Sequence, residues 1–573
     1  MNTRFLKGAS ILLAFSSNVL FAAPLFLVKD GQPAATIVIP DDPSLTESFA
    51  AEELATYLKK STGAVLPVVK EKEAFAKQPE GTVVLVGGTE KTKTLGVTLK
   101  GVAKGGFLIK RTGNFLVFRG EDDRVKSVDP RQCPETYYGT LVAVYDFIEK
   151  NIGVRWYWPG PLGEIVPEHR NVSIEVLDYR ENPDFEYRYS YGRYSTYDDP
   201  DFKHGENLLW WARQRLGSAG AAPATHSFAG YVAKYGTTHP EYFVLRKDGK
   251  RLTDTDHGGG HICLSNKEFQ KILIADIIKG FKANPDWYTC AVMPGDSFEG
   301  CECEQCKAQY EPALGPTGIH SRSVWSYVNE VAREVGKVFP DRYIGCCAYA
   351  SYYMVPTGMK FEPNVAVTVC RGGADIYFWD QKDIEQSHND IRAWAKNSKK
   401  LFTWEYPCSA QVYGLPIVFP HGVNEEVRRM KSDGIIGTIT EPAGSGEPAK
   451  YGGDYTGWMR ENLTTYLFFK SLWKADIDVD VIVDGYCRDL YGPAAEPMKK
   501  FFVKMEQIWK KGNHGTRPYY ANWSNIWTCL YTEEDIDLLL GLLKKAEKLV
   551  PEGVYKQRVQ KTIAGFSVLS QNR

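Results

Sequence analysis

The sequence predicts an α/β protein in which a (β/α)8 TIM-like barrel follows a small α/β domain and precedes a helical C-terminal region. A length of 573 residues is too great for one ordinary domain. From about residue 185 to 440, short apolar runs alternate with amphipathic stretches at the spacing of strand–helix units. Beyond residue 478 the pattern is helical. We expect four segments: a signal peptide at 1–23, an α/β domain at 24–180, the barrel at 181–475 and the helical region at 476–573.

The composition is that of a folded globular protein and excludes a strongly basic surface. Lys and Arg together number 69 and Asp and Glu number 70, so the net charge is −1. A protein that binds nucleic acid usually has a basic excess, so we expect no nucleic acid partner. The chain contains 14 Trp, 33 Tyr and 27 Phe, which suits either stacking against sugar rings or a large core.

The first residues have the pattern of a secretory signal peptide. Arg4 and Lys7 precede an apolar run from Ile11 to Phe21, and small residues follow at Ala22 and Ala23. The run is short for a membrane span, and no later stretch reaches about 18 uninterrupted apolar residues. We therefore predict a periplasmic or secreted protein with no membrane anchor after cleavage.

The segment after the signal peptide predicts a compact mixed domain. A helix is expected after Asp41, with an apolar face that includes Leu54 and Leu58 and an end at Gly63. Five apolar runs around it predict strands, and Thr140–Ile148 predicts a second helix. The strands are expected at Ala35–Ile39, Val83–Gly87, Phe107–Lys110, Phe115–Arg119 and Gly153–Tyr157.

The next segment supplies eight candidate strand–helix steps. The strands are expected at Phe185–Tyr191, near Thr225, and at Ile262–Leu264, Trp287–Met293, Arg342–Ala348, Val365–Cys370, Leu401–Glu405 and Ile435–Thr440. The helices are expected at Glu206–Arg215, Glu268–Phe281, Ser323–Val338, Ile384–Ala395 and Asn424–Ser432. The sequence signal for the second strand is weak, so an irregular barrel remains an alternative. Three further helices are expected at Val479–Tyr491, Ala495–Lys510 and Glu533–Leu549.

Polar residues at the ends of these strands are the candidate site, because barrel enzymes place their active sites there. Carboxylates follow four strands: Asp296 and Glu299, then Asp375, Glu405 and Glu441. Each one alone could equally be a helix cap or an ion-pair partner. Together they match glycoside hydrolysis, which needs one protonated and one ionised carboxyl group.

We predict Glu441 and Glu405 as the main catalytic carboxylates, with Asp296 and Glu299 assisting. Their order as acid and base is left open. The residues expected to hold the sugar are His226, Asp375, Trp404 and Tyr406.

Of 12 cysteines, three lie within six residues at Cys301, Cys303 and Cys306. These thiols could bind a structural metal with a fourth ligand from elsewhere, form a local disulfide, or pair with Cys263. A catalytic metal would need His or carboxylate ligands at a known spacing, and the sequence has no HExxH motif. We therefore expect a structural role and no catalytic metal or cofactor.

Two parts of the sequence resemble known families. The first, from Ala35–Pro40 and Phe49–Leu58 to Gly139–Tyr157, resembles the N-terminal domain of α-glucuronidases of glycoside hydrolase family 67 and hexosaminidases of family 20. The second resembles the bacterial domain of unknown function 4838. Its marks are His239–Phe243, Cys263–Asn266, the loop from Asp296 to Cys306, Trp404–Tyr406 and Glu441.

Some similarity to family 163 endo-β-N-acetylglucosaminidases implies a retaining mechanism, with the acetamido group of the substrate as a candidate nucleophile. Family 20 places an adjacent Asp–Glu pair after the fourth strand. Asp296 and Glu299 occupy that place here but are not adjacent. Family 67 implies an acid at Glu299, with Asp375 and Glu405 on later strands.

The prediction is a secreted glycoside hydrolase whose partner is a carbohydrate substrate, and the first-choice substrate contains N-acetylglucosamine. The alternatives are an α-glucuronidase-like hydrolase and a non-catalytic glycan-binding protein on the same scaffold. A metal-dependent hydrolase that uses the cysteines is a more remote alternative.

Overall fold

The structure, a computed structural model, describes residues 24–122, 129, 131, 136–190, 204–217, 223–254, 260–285, 287–373, 381–407, 416, 418–441, 457–511 and 530–571. The expected signal peptide and Asp375 lie outside the described residues. In the described part of the chain, no helix combines the length and apolarity needed to cross a bilayer.

The strands are β1 Leu25–Lys29, β2 Gln32–Pro33, β3 Ala35–Ile39, β4 Val68–Lys70, β5 Thr82–Val86, β6 Phe107–Thr112, β7 Phe115–Gly120, β8 Arg155–Trp156, β9 Glu164–Ile165, β10 Val172–Ile174, β11 Asp178–Glu181, β12 Tyr187–Ser190, β13 Thr289–Ala291, β14 Tyr343–Ala348, β15 Val365–Gly373, β16 Lys400–Tyr406 and β17 Gly437–Thr440. The helices are α1 Leu45–Thr62, α2 Glu71–Ala74, α3 Glu90–Thr94, α4 Gly139–Phe147, α5 His204–Arg213, α6 Ala229–Tyr235, α7 Lys267–Ala283, α8 Glu304–Lys307, α9 Ser321–Gly336, α10 Gln381–Ala395, α11 Pro420–Ser432, α12 Asn462–Trp473, α13 Val479–Tyr491, α14 Ala495–Lys511, α15 Glu533–Leu549, α16 Val554–Gly565 and α17 Val568–Gln571.

The N-terminal part is built on a six-stranded mixed sheet in the order β11-β6-β7-β5-β3-β4. Helix α1 begins at a capping box, in which the Ser44 side chain accepts from the Glu47 amide and the Glu47 side chain accepts from the Ser44 amide. It ends at Gly63, whose φ of 76° suits a residue without a side chain. The predicted β3 strand and the end of α1 are therefore confirmed.

The second sheet has six parallel strands in the order β12-β17-β16-β15-β14-β13 and forms a curled half barrel. The expected eight strands are not confirmed, because the described residues form six. Thr225 lies in no strand, and Ile262 makes only an isolated bridge with Phe243. Both segments are too irregular to add to the ladder, so β12 and β13 remain its edges among the described strands.

The C-terminal helices α12 to α17 pack together and contact the N-terminal part. The Arg558 guanidinium on α16 donates from Nε to the Leu162 carbonyl at 2.7 Å and from Nη2 to the Glu164 carbonyl at 3.1 Å. Lys470 on α12 pairs with Glu149 at 2.6 Å. These bonds join residues more than three hundred positions apart, so the helical region is part of the same folded body.

Candidate active site at the strand ends

Side chains on the half-barrel strands alternate between two faces, and this alternation divides the candidate residues. Cys370 on β15 lies beside Trp404 on β16, which in turn lies beside Ile439 on β17. Glu405 lies beside Thr440 instead. Trp404 and Tyr406 therefore share one face of the sheet, which we call the groove face, and Glu405 lies on the other.

Asp296 lies on an exposed loop after β13 and is held by two neighbours. Its Oδ1 is 3.3 Å from the His226 Nε2 and accepts from the Tyr349 hydroxyl at 3.2 Å. The His226 Nδ1 lies 2.7 Å from the Pro294 carbonyl, which orients the ring. The hydrogen bond from His226 lowers the pKa of Asp296, and the same bond raises the pKa of His226. Asp296 is therefore ionised near neutral pH.

Glu441 directly follows β17 and faces the same side. The Trp404 indole N–H donates to Glu441 Oε2 at 3.2 Å, and the Glu441 amide donates to the Glu405 carbonyl at 2.8 Å. Burial first, and then the charges of Glu405, Glu441 and Asp296, raise the pKa of the Cys370 thiol to about 12. Tyr349, which binds Asp296, follows β14 on the side of the sheet that holds Cys370 and Trp404, so Asp296 and Glu441 lie along a common rim.

Glu405 lies between the sheet and the helices, with its side chain only 1% exposed. Two residues earlier, the Thr403 hydroxyl contacts Met430 of α11, so this face of β16 is covered by that helix. Arg371 Nη1 is 3.6 Å from Glu405, and its Nη2 is 2.5 Å from Glu426. The carboxylate of Glu405 belongs to a buried charge network.

That network continues away from the sheet. His388 lies 3.2 Å from Glu426 and 2.6 Å from Asp433, and Arg392 Nη1 lies 3.0 Å from Asp433. Burial raises the pKa of Glu405 to about 7 although Arg371 opposes the shift. Burial would also raise the pKa of Glu426, but Arg371 and His388 outweigh it and hold the pKa at about 2.

The structure thus does not bring Glu405 together with the other predicted catalytic residues. An apolar run that ends in a carboxylate shows where that residue lies along the strand, but not the face to which its side chain points. The faces alternate residue by residue. The adjacent pair Trp404 and Glu405 cannot both line the groove. The sequence reasoning also missed Arg371, which directly follows the apolar run of β15 and balances these charges.

The other predicted residues are placed as follows. Tyr406 ends β16 on the groove face and is half-buried. Glu299 is exposed and lines a separate cleft of about 410 Å³ with His261 and the loop from Arg246 to Asp248. Asp375 is outside the described residues. Tyr349, which the sequence reasoning did not select, follows β14 and binds Asp296; an aromatic residue directly after an apolar run was the available signal.

Four cysteines meet beside the Asp296 loop. The sulfur atoms of Cys263, Cys301, Cys303 and Cys306 all lie within 4.8 Å of one another. Cys263, which the sequence offered only as a disulfide partner, is the fourth member. We call this group the cysteine cluster, and it is a set of ligands that could hold a metal ion.

The half-barrel sheet and the carboxylates at its rim define an α/β protein with a polar groove, and comparison now adds a family. Residues 158–504 match the family model described as a domain of unknown function, DUF4838. The chain belongs to this family, as its sequence motifs indicated. No curated protein matches the sequence.

Three solved structures show what this fold is similar to. A family GH115 4-O-methyl-α-glucuronidase with specificity for decorated arabinogalactans matches with a TM-score of 0.55 and 13% identity, over 95% of this chain and 73% of its own. An N-acetyl-β-hexosaminidase of Streptomyces plicatus matches with a TM-score of 0.42 and 11% identity, over 83% and 93% of the two chains. A β-N-acetylhexosaminidase of Bacteroides fragilis matches with 0.43 and 10%, over 86% and 94%.

Proposed function

We propose that this protein is an exported glycoside hydrolase that acts on a glycan containing N-acetylglucosamine. The observation that carries the proposal is the pair Asp296 and Glu441, which lie at strand ends on the groove face and contact Tyr349 and Trp404 there. Such a pair provides the two carboxyl groups that hydrolysis of a glycosidic bond requires.

The environments of the two carboxylates suggest different roles. His226 and Tyr349 keep Asp296 ionised, which suits a group that orients an acetamido N–H or stabilises positive charge at the anomeric carbon. Glu441 is then the proton donor. The glycosidic C1–O bond breaks, Glu441 protonates the leaving oxygen, and the acetamido oxygen attacks C1. Water subsequently opens this intermediate and returns a proton to Glu441.

Aromatic side chains beside these carboxylates favour a sugar ring as the group that is bound. Trp404 and Tyr406 lie two residues apart on the groove face, and Tyr349 lies next to Asp296. Each is half-buried, so part of the ring is free to contact a ligand. An aromatic surface combined with hydrogen-bonding tips is suited to the apolar C–H face and the hydroxyl rim of a pyranose.

A uronic acid side chain is the second candidate substrate. The observation in its favour is the fold shared over 95% of this chain with a 4-O-methyl-α-glucuronidase. Fold alone does not determine substrate, because one barrel scaffold supports many chemistries. The product assay must therefore separate the two.

The test is a product assay by mass spectrometry on the purified mature chain. The substrates are complex N-glycans, aryl N-acetylglucosaminides and glucuronoxylan fragments. We expect release of a glycan one N-acetylglucosamine short, or of N-acetylglucosamine itself, and no turnover by Glu441→Gln or Asp296→Asn. Release of a uronic acid would replace the first substrate by the second. Binding to immobilised glycan without any turnover would overturn the proposal of an enzyme and favour a glycan-binding protein.

A further inference from the structure

The cysteine cluster has the geometry of a closed metal site. The Cys263 sulfur lies 3.7 Å from Cys301, 3.7 Å from Cys303 and 3.9 Å from Cys306. Four sulfur atoms about 2.3 Å from a zinc ion at tetrahedral angles lie about 3.8 Å apart. The spacing between the thiols therefore matches the edges of a zinc–thiolate tetrahedron.

A disulfide arrangement fits less well. Sulfur atoms in a disulfide are about 2.05 Å apart and occur as pairs. Here one thiol is almost equidistant from three others, and every cysteine that the structure describes is a free thiol. Four thiols within 4.8 Å of one another, three of them 3.7–3.9 Å from Cys263, indicate a shared central ion and not two separate bridges.

The surroundings of the sulfur atoms suit thiolate ligands. The Leu245 amide donates to the Cys301 sulfur at 3.3 Å, and the Ser265 hydroxyl lies 3.4 Å from Cys303 and 3.3 Å from Cys263. Hydrogen bonds of this kind orient metal ligands and stabilise their charge. Three of the four cysteines are buried, so an ion among them would be shielded from water.

We propose that Cys263, Cys301, Cys303 and Cys306 bind one structural zinc ion. Four sulfur ligands leave no open position for water or substrate, so the ion stabilises the fold and takes no part in chemistry. Sulfur ligands in tetrahedral geometry select zinc or iron. We assign zinc because Zn²⁺ has no redox chemistry, which fits a site with a purely structural role. The inference does not rest on the proposed hydrolase activity.

The ion would fix the loop that carries Asp296. Three ligands come from the end of this loop and α8, whereas Cys263 precedes α7, so the metal joins two segments 38 residues apart. The Tyr310 hydroxyl reinforces the same point by accepting from the Cys301 amide at 2.6 Å and donating to its carbonyl at 2.7 Å. Asp296 lies five residues before Cys301 and opposite His226.

The test is the metal content of the full chain, purified without a metal-affinity column or chelator. We expect one zinc per chain by mass spectrometry, and at least a tenfold loss in Cys303→Ser and Cys306→Ser. The control is Cys290→Ser, which changes a half-buried thiol outside the cluster and should retain the zinc. Iron at this stoichiometry would overturn the assignment to zinc.

A second measurement uses the unmodified chain, in case the serine variants fail to fold. After chelation under reducing conditions, cobalt(II) is added and the absorption spectrum is recorded. We expect the intense bands of a tetrahedral cobalt–thiolate complex, and displacement of cobalt by zinc. Lack of these bands, or a mass decrease that shows disulfides among the four cysteines in the freshly isolated protein, would overturn the proposal. Neither readout depends on glycosidase activity.

Discussion

The two faces of the half-barrel sheet use acidic residues in opposite ways. On the groove face, the Asp296 side chain is 55% exposed and contacts a half-buried histidine. On the helix-facing side, Glu405 and Arg371 are at most 1% exposed and lie in a network that reaches Glu426. Adjacent residues of one strand, Trp404 and Glu405, belong to different faces.

This difference shows how exposure and partner type separate a carboxylate that a ligand can reach from one that is buried in an ion-pair network. A buried ion pair needs its partner, since removal of one member leaves an uncompensated charge in a medium of low polarity. A carboxylate on an open face keeps access to substrate and water. Glu405 has a raised pKa, which is often taken as a catalytic sign, but its position gives that shift a structural origin.

The largest expected effect is on the groove face. Glu441→Gln keeps the size of the side chain and its contact with Trp404 but cannot donate a proton in the same way. We expect turnover to fall about 10²–10⁴-fold, with no change in the thermal midpoint. Glu425→Gln is the matched control, since Glu425 is exposed on α11 and pairs with Arg429 on the same helix. Normal turnover in Glu441→Gln would contradict the assignment.

The second effect is on the opposite face and concerns stability. Arg371→Met removes the cation between Glu405 and Glu426 and should lower the free energy of unfolding by about 3–5 kcal/mol. Urea denaturation measures it, while turnover per folded molecule stays within a few-fold. Arg429→Met, on the exposed pair with Glu425, should cost at most about 1 kcal/mol. Equal losses of unfolding free energy in Arg371→Met and Arg429→Met would contradict the proposed difference between the buried network and the exposed pair.

The third effect is the pH dependence of stability. Because burial raises the pKa of Glu405 to about 7, its contribution is present below the pKa of the unfolded chain and is lost as pH rises towards 7. A shift of this size corresponds to about 3 kcal/mol. Urea midpoints between pH 4.5 and 8 should therefore fall more steeply in the natural protein than in Glu405→Gln. Parallel curves would show that Glu405 is not the titrating group.

The smallest effect tests the link between His226 and Asp296. The hydrogen bond from His226 lowers the pKa of Asp296, so His226→Ala should raise that pKa towards its ordinary value. The acidic limb of the kcat/KM profile should then move to higher pH. His239→Ala is the control, because His239 is exposed and pairs with Glu241 instead. An unchanged acidic limb in His226→Ala would show that Asp296 does not determine that limb of the profile.

Much of the secondary structure could be predicted because apolar runs and caps are local signals. Strand β3 and helices α13 and α15 have the expected bounds, and most of the other strand and helix positions agree within a few residues. The strand count could not be predicted in the same way. Ile262–Leu264 has a strand-like run, but Cys263 within it joins the cysteine cluster and only Ile262 makes a bridge.

The candidate site was predicted along the chain but not across the sheet. Asp296, Glu441, His226 and Trp404 were selected as strand-end residues, and all four lie around the groove face. The side of the sheet to which Glu405 points depends on its pairing with β15 and β17 and on the helix that covers it. Neither is visible in the local sequence, and Cys263 became the fourth thiol of the cluster only through packing.

The bonds from Arg558 to Leu162 and Glu164 also have a consequence for the order in which contacts form during synthesis. The hydrogen-bond partner of the Leu162 carbonyl is synthesised 396 residues later. At a synthesis rate of roughly 5–20 residues per second, that interval is about 20 to 80 seconds. Until Arg558 is available, water must satisfy both carbonyls, so the β8–β9 region gains these two bonds only after α16 has been synthesised.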